Sequence, residues 1–195
     1  MKNLTTILFA FILSAFFVKA QVPNENISNG MFFDGEPYVA VNPNNHRHIV
    51  VAWMGAANFK IAIKTTTSFD GGESWSSPAV LPHMSPSFGS ADPSLGFDNN
   101  GNLYCCYVDF SKVVDSGAVY VAKSTDGGLN WNSPVKAIDM HADGQQKPID
   151  RPWMAVDATN GPHAGNVYVT SMPPLTFGPI PPPYHPYFTR STDGG

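Results

Sequence analysis

Three short segments place an ionisable residue directly before a proline at the head of an alternating apolar run. They are "EPYVAVN" from Glu36, "DPSLGFD" from Asp92 and "RPWMAVD" from Arg151, the last preceded by Asp150. Carboxylates held near one another can work as acid and base, and an arginine can clamp a substrate carboxylate through paired hydrogen bonds. The same residues would equally serve by capping strand ends and binding backbone amides of a neighbouring element. A second set of acids, Asp70, Asp126 and Asp193, sits in "SFDGGESW", "STDGGLNW" and "STDGG".

Turn chemistry alone accounts for that second set. Gly71 and Gly72 suit positive φ in a tight hairpin, and the Asp70 carboxylate can accept bonds from turn amides. Ser68 adds a hydroxyl, and Trp75 can fold back over the turn. The octets are therefore expected to be structural locks, built from Ser68, Asp70, Gly72 and Trp75, from Ser124, Asp126, Gly128 and Trp131, and from Ser191, Asp193 and Gly195.

Both sets keep the same beat, and the beat defines the elements that carry them. The octet aspartates are 56 and 67 residues apart, and Pro37, Pro93 and Pro152 are 56 and 59 apart. Two unrelated motifs on one period mark an internal repeat. Between them lie period-2 apolar runs that read as strands: "HIVVAWM", "NLYCCYV" and "NVYVTSM", then "KIAIKTT", "AVYVAKS" and "YFTRS". A short strand follows each octet in "SPAVL" and "SPVKAI", and no stretch after residue 20 shows convincing helical periodicity.

Each unit is thus four antiparallel strands, the make-up of one β-propeller blade. Blades are expected over about 34–82, 90–140 and 150–195, the third incomplete. Three blades do not close a ring of four or more, so the segment reads as part of a longer propeller whose half ring would expose apolar blade faces.

Strand direction then separates the two acid sets. In such a blade the octet turn lies at one end of the sheet, and the start of the first strand lies at the other. Glu36, Asp92, Asp150 and Arg151 should ring the central funnel with the loops near Met54–Phe59, Asp109–Gly117 and Pro173–Pro186. The last of these, "PPLTFGPIPPPYHP", offers Phe177, Tyr184, His185 and Tyr187 on a proline frame, either as a platform for sugar rings or as a packing loop.

The octets resemble the Asp-box, or BNR, repeats of the sialidase superfamily, and the proline-led strands resemble those of exported bacterial sialidase-like BNR-repeat proteins. The resemblance covers residues 21–195. It implies a propeller, usually six-bladed, that binds or acts on glycans through its funnel and uses no cofactor. The alternatives are an exo-glycosidase of exo-α-sialidase type and a protein-binding scaffold.

Departures from the family pattern bear on activity. Sialidases hold the substrate carboxylate with three arginines, the first in an Arg-Ile-Pro strand, and use an aspartate acid/base and a glutamate-assisted tyrosine. Here Glu36-Pro37 stands at that first strand. After residue 20 only Arg47, Arg151 and Arg190 remain, and only Arg151 is well placed. Sialidase activity is therefore not expected of these residues alone; the candidates for chemistry are Asp92, Glu36 and Arg151, with Asp150, Arg151, Tyr184 and Tyr187 for binding.

Lys2, the apolar run Leu4–Phe17 and Val18-Lys19-Ala20 before Gln21 read as a signal peptide cleaved after Ala20, for a secreted or periplasmic destination. Losing Lys2 and Lys19 takes 11 basic residues to 9 against 15 acidic ones, a net charge near −6. With no Lys/Arg run, nucleic acid and an anionic membrane surface are poor partners, and nothing after residue 20 is apolar for long enough to span a bilayer.

Lesser signals carry bland expectations. Cys105 and Cys106 should point to opposite faces of a strand as small packed residues. His46 and His48 could touch one metal but read better as a solvated loop, so no metal is expected. "DNNGN" at 98–102 lacks calcium-loop spacing and reads as a hairpin turn, and Asn26-Ile27-Ser28 matches a glycosylation acceptor.

Overall fold

The computed structural model describes residues 24–30, 32–144, 147–174 and 185–195. The signal-peptide segment, Phe177 and Tyr184 lie outside the described residues. Within them the chain is all β and, among the described residues, no helix is long and apolar enough to cross a membrane.

Eleven strands form three antiparallel sheets. The first is β1 (Asp34–Asn42), β2 (Asn45–Ala57), β3 (Lys60–Ser68) and β4 (Ala79–Val80). The second is β5 (Phe88–Phe97), β6 (Leu103–Ser111), β7 (Gly117–Ser124) and β8 (Val135–Asp139). The third holds β9 (Asp150–Val156), β10 (Val167–Met172) and β11 (Tyr187–Ser191). Strands follow chain order in every sheet, and β5 lies beside both β1 and β9, so the sheets stand side by side with their first strands adjacent.

Two apolar layers join them. Val50, Ala52, Ile63 and Leu81 of the first sheet meet Leu95, Phe97, Leu103, Cys105 and Tyr107 of the second. On the opposite face, Tyr104, Cys106, Val108 and Val119 meet Met154, Val167 and Val169. The two free thiols thus enter different layers, as strand alternation requires, and burial pushes both thiols well above their ordinary pKa.

This sandwich explains why "NLYCCYV" is apolar without alternation. Every residue from Leu103 to Asp109 is buried because β6 is covered on both sides. Outer faces lack such cover: Val39 and Val41 of β1 are 58% and 47% exposed, and Trp153 and Phe188 of the third sheet are 72% and 64% exposed.

Candidate functional site

Strand register puts the two acid sets at opposite ends of the sheets. In the first sheet Ser68 pairs with Ile49, whereas Gly35 pairs with Met54, about five residues or roughly 17 Å along β2.

At the octet end every acid is satisfied locally. Ser68 Oγ donates to Asp70 Oδ1 at 2.7 Å, and Ser74 donates its amide to Oδ1 at 2.9 Å and its hydroxyl to Oδ2 at 2.5 Å. Asp126 repeats this with Ser124 Oγ at 2.8 Å, Asn130 N at 2.9 Å and Asn130 Nδ2 at 2.7 Å. Ser191 Oγ donates to Asp193 in the third octet. Such bonds favour the ionised form and hold Asp70, Asp126 and Asp193 below the usual carboxylate range. Both glycines of each octet take positive φ, from 81° to 98°.

The octet tryptophans differ. Trp75 lies over its own turn beside Gly72, but Trp131 reaches into the first sheet, where its Nε1 donates to Thr65 Oγ1 at 3.0 Å. His48, expected in a solvated loop, is buried: Asn42 Nδ2 lies 3.1 Å from its Nδ1, and its Nε2 lies 3.0 Å from the Gly127 carbonyl. An amide donating to Nδ1 leaves Nε2 to carry the proton. Both ring nitrogens are therefore engaged, and His48 is not available to share a metal with His46; among the described residues no group of three His, Cys, Asp or Glu could hold one.

At the other end the acids are crowded. Glu36, Asp92 and Arg151 line one shallow cleft of about 270 Å³ with their following prolines, Tyr38 and Trp153. All three are non-glycine residues with positive φ, 52°, 56° and 46°. Their strands break register there, between Gly35 and Tyr38, between Ala91 and Ser94, and opposite Thr170 and Met172. A bulge of this kind re-aims a side chain. A residue before proline ordinarily stays extended, so each left-handed conformation costs about 1–3 kcal/mol that the surrounding sheet must hold.

Electrostatics follow from the crowding. Glu36 hydrogen-bonds Asp92; that bond, with partial burial and the Asp92 and Asp150 charges, pushes Glu36 up to about 7, against the lowering pull of Arg151. Asp150 is also raised, first by burial and then by the Asp92 charge. The Arg151 amide donates to Asp92 Oδ2 at 2.9 Å. Asp92 thus accepts from a backbone amide at a strand end, the capping role, while also contacting two other acids.

Tyr187 stands at the same end of the third sheet, opposite Ser171. Its hydroxyl donates to Asp143 Oδ2 at 2.6 Å, and burial and that bond raise it to about 12. It does not line the acid cleft. "DNNGN" is a hairpin turn in which Asp98 accepts from Asn100 N, Asn102 N and Asn102 Nδ2 at 2.7–2.9 Å.

One feature escapes the sequence reasoning, and one loop it named gains a specific residue. Asp109, wholly buried, accepts from Ser90 Oγ at 2.9 Å and from Met84 N at 2.7 Å, and its Oδ1 lies 2.8 Å from His83 Nδ1. The acid in "YVDF" was the available signal, since a charge inside a doubly covered strand demands partners. In the loop near Met54–Phe59, Phe59 is fully exposed at the β2–β3 hairpin beside Phe32, Lys60 and Lys112, around a hollow of about 690 Å³.

No protein-family model and no curated protein matches the chain. Solved structures do resemble it in fold. One of unknown function from Dyadobacter fermentans superposes with TM-score 0.56 at 20% identity, over 86% of this chain and 54% of that one. An α-L-arabinanase of Penicillium chrysogenum, complexed with arabinobiose, gives TM-score 0.56 at 18% identity, over 81% and 46%. A leech intramolecular trans-sialidase gives 0.57 at 11% identity, over 90% and 45%. The enzymes among these are glycoside hydrolases, and the chain spans about half the length of each structure.

Proposed function

We propose that the chain contributes the acid cleft of an exported, glycan-acting β-propeller of the BNR, sialidase-like kind. The observation that carries this is the meeting of Glu36, Asp92 and Arg151, one from each sheet and each held in a strained conformation, in one cleft. Strain of this kind persists where the surrounding structure is committed to a geometry.

The chemistry it supports is general acid–base work on a glycosidic bond. A carboxyl raised to about 7 keeps its proton near neutral pH, which suits Glu36 to protonate a leaving oxygen. Asp150 also hydrogen-bonds Asp92. In this reading Glu36 gives its proton to the glycosidic oxygen as the bond to the anomeric carbon breaks. Asp150 takes a proton from the attacking water, whose hydroxyl ends on that carbon.

The balance of charge selects the sugar. With Glu36 holding its proton, Asp92 and Asp150 still outnumber the single Arg151 guanidinium and disfavour an anionic substrate, whereas sugar hydroxyls donate well to carboxylates. Neutral glycans therefore fit this cleft better than sialosides, and exposed Phe59 offers a stacking surface at the same end of the sheets.

The test is turnover of fluorogenic α-L-arabinofuranosides and α-sialosides, with glycan-array binding in parallel. Preference for neutral sugars, lost in Asp92→Asn and Arg151→Ala, is expected. Sialoside preference, or binding indifferent to both substitutions, would overturn the assignment.

A further inference from the structure

Turn chemistry asks for one residue at the tip of the β2–β3 hairpin, and the sequence supplies another. Asn58 and Phe59 join Ala57 to Lys60, its partner across the ladder, and both take positive φ, 49° and 62°. A two-residue turn of this kind favours Asn-Gly, and a bulky side chain with positive φ is an outlier. Phe59 gains no burial in return, since its ring is fully exposed. An aromatic side chain kept on strained backbone without packing on its own fold marks a binding surface.

The groups around that ring state the chemistry of its partner. The hollow beside it, about 690 Å³, falls within the ~300–1,000 Å³ of small-molecule sites, and Ala56, Ala57 and Ile61 give it an apolar lining. Lys60 of β3 and Lys112, just past the end of β6, line it as well, so the first and second sheets supply one cation each. Among the described residues neither ammonium makes an ion pair or a hydrogen bond, and no acid lines the hollow. In a chain with 15 acidic against 11 basic residues, two unpaired cations on one hollow select an anionic group.

The acid cleft lies at this same end of the sheets. Ala57 is three residues past Met54, the partner of Gly35, and so lies about 10 Å further along β2. A glycan seated at Glu36 and Asp92 can extend toward the hairpin tip.

We infer that the hollow is a subsite for an acidic unit of the same glycan. A neutral unit occupies the cleft, while a unit bearing a carboxylate or a sulfate lies against the Phe59 ring and accepts hydrogen bonds from Lys60 and Lys112. This rests on the glycan reading of the cleft and narrows the substrate class to chains that mix neutral and acidic sugars. The preference of the cleft for neutral sugars is kept, because the anion sits away from Asp92 and Asp150.

Pairs of oligosaccharides that share their neutral units and differ by one glucuronate or one sulfate group test this, by titration calorimetry on the purified chain. The acidic member of a pair should bind about tenfold more tightly, and the uronate and sulfate arms distinguish the two anions. Lys60→Gln combined with Lys112→Gln should abolish that gain, as loss of charged donors implies, whereas Lys136→Gln, which removes a charge elsewhere, should keep it. Phe59→Gly separates a ligand role from a structural one: glycine suits the turn, so the melting temperature should hold or rise while the acidic member binds about tenfold more weakly. Turnover of small neutral glycosides reads the cleft separately, so an acidic gain without turnover supports the hollow and counts against the cleft. No binding of any acidic member, equal binding within every pair, a gain that survives loss of both lysines, or a polyglutamate peptide bound as tightly as the acidic sugars would overturn the inference.

Discussion

The two ends of the sheets hold the same kinds of acid and treat them in opposite ways. Asp70, Asp126 and Asp193 accept hydrogen bonds from their own turns and are stabilised as carboxylates. Glu36 and Asp150 face other acids, on or beside left-handed residues, and are destabilised as carboxylates. An acid surrounded by donors needs no further partner. An acid bonded chiefly to other acids in a cleft is disfavoured as a carboxylate by its own fold and is suited to meet a ligand.

The sharpest way to break this contrast is to remove charge at each end. Asp92→Asn, nearly isosteric, takes the acid partner from both Glu36 and Asp150, and through their proton transfers should lower glycan turnover or binding on the order of 10²-fold. Its melting temperature should move by no more than a few degrees, measured by differential scanning calorimetry.

Next in size is Asp126→Ala, which strips the turn of its bonds from Ser124 and Asn130. Discounted for solvent exposure, the loss should be about 1–2 kcal/mol of stability, seen as a fall in melting temperature with ligand binding intact. Equal effects of the two substitutions on binding would erase the distinction between the ends.

A smaller effect separates them by pH. Glu36 is raised from 4.5 to about 7, so its contribution to stability is present below pH 4.5 and is lost as pH rises through 7. The octet aspartates are lowered from 3.8, so theirs is present above that value and is lost as pH falls through their depressed range. Glu36→Gln should therefore raise the melting temperature at pH 8 relative to the wild type and leave it unchanged at pH 4. Asp126→Ala should instead flatten the acid limb of the profile.

The smallest expected effect concerns strain alone. Glu36→Gly relieves a φ of 52° that glycine adopts freely. At pH 4, where Glu36 is largely protonated, it should be stabilising by up to about 1 kcal/mol in urea denaturation, if the sheet retains that backbone shape.

Much of this was legible in residue order. The shared period of the octets and the proline-led strands fixed four-strand units, and strand direction put Asp70 and Glu36 at opposite ends. What was not legible depends on how one sheet meets the next. Trp131 bonds Thr65 of the preceding sheet, His48 is buried by the second octet, and Asp109 is closed off by His83, 26 residues away. None of these partners lies on its own hairpin, so neither period nor parity could name them. The left-handed bulges were hidden for a related reason, since proline normally argues for extended backbone before it.

The central claim is that binding resides with the crowded acids and stability with the satisfied ones. Titrating the wild type, Asp92→Asn and Asp126→Asn with the best glycan from the array, by isothermal calorimetry beside a thermal melt, tests it most directly. The account predicts that Asp92→Asn loses binding and keeps its melt, while Asp126→Asn keeps binding and melts lower. The reverse pattern would contradict it.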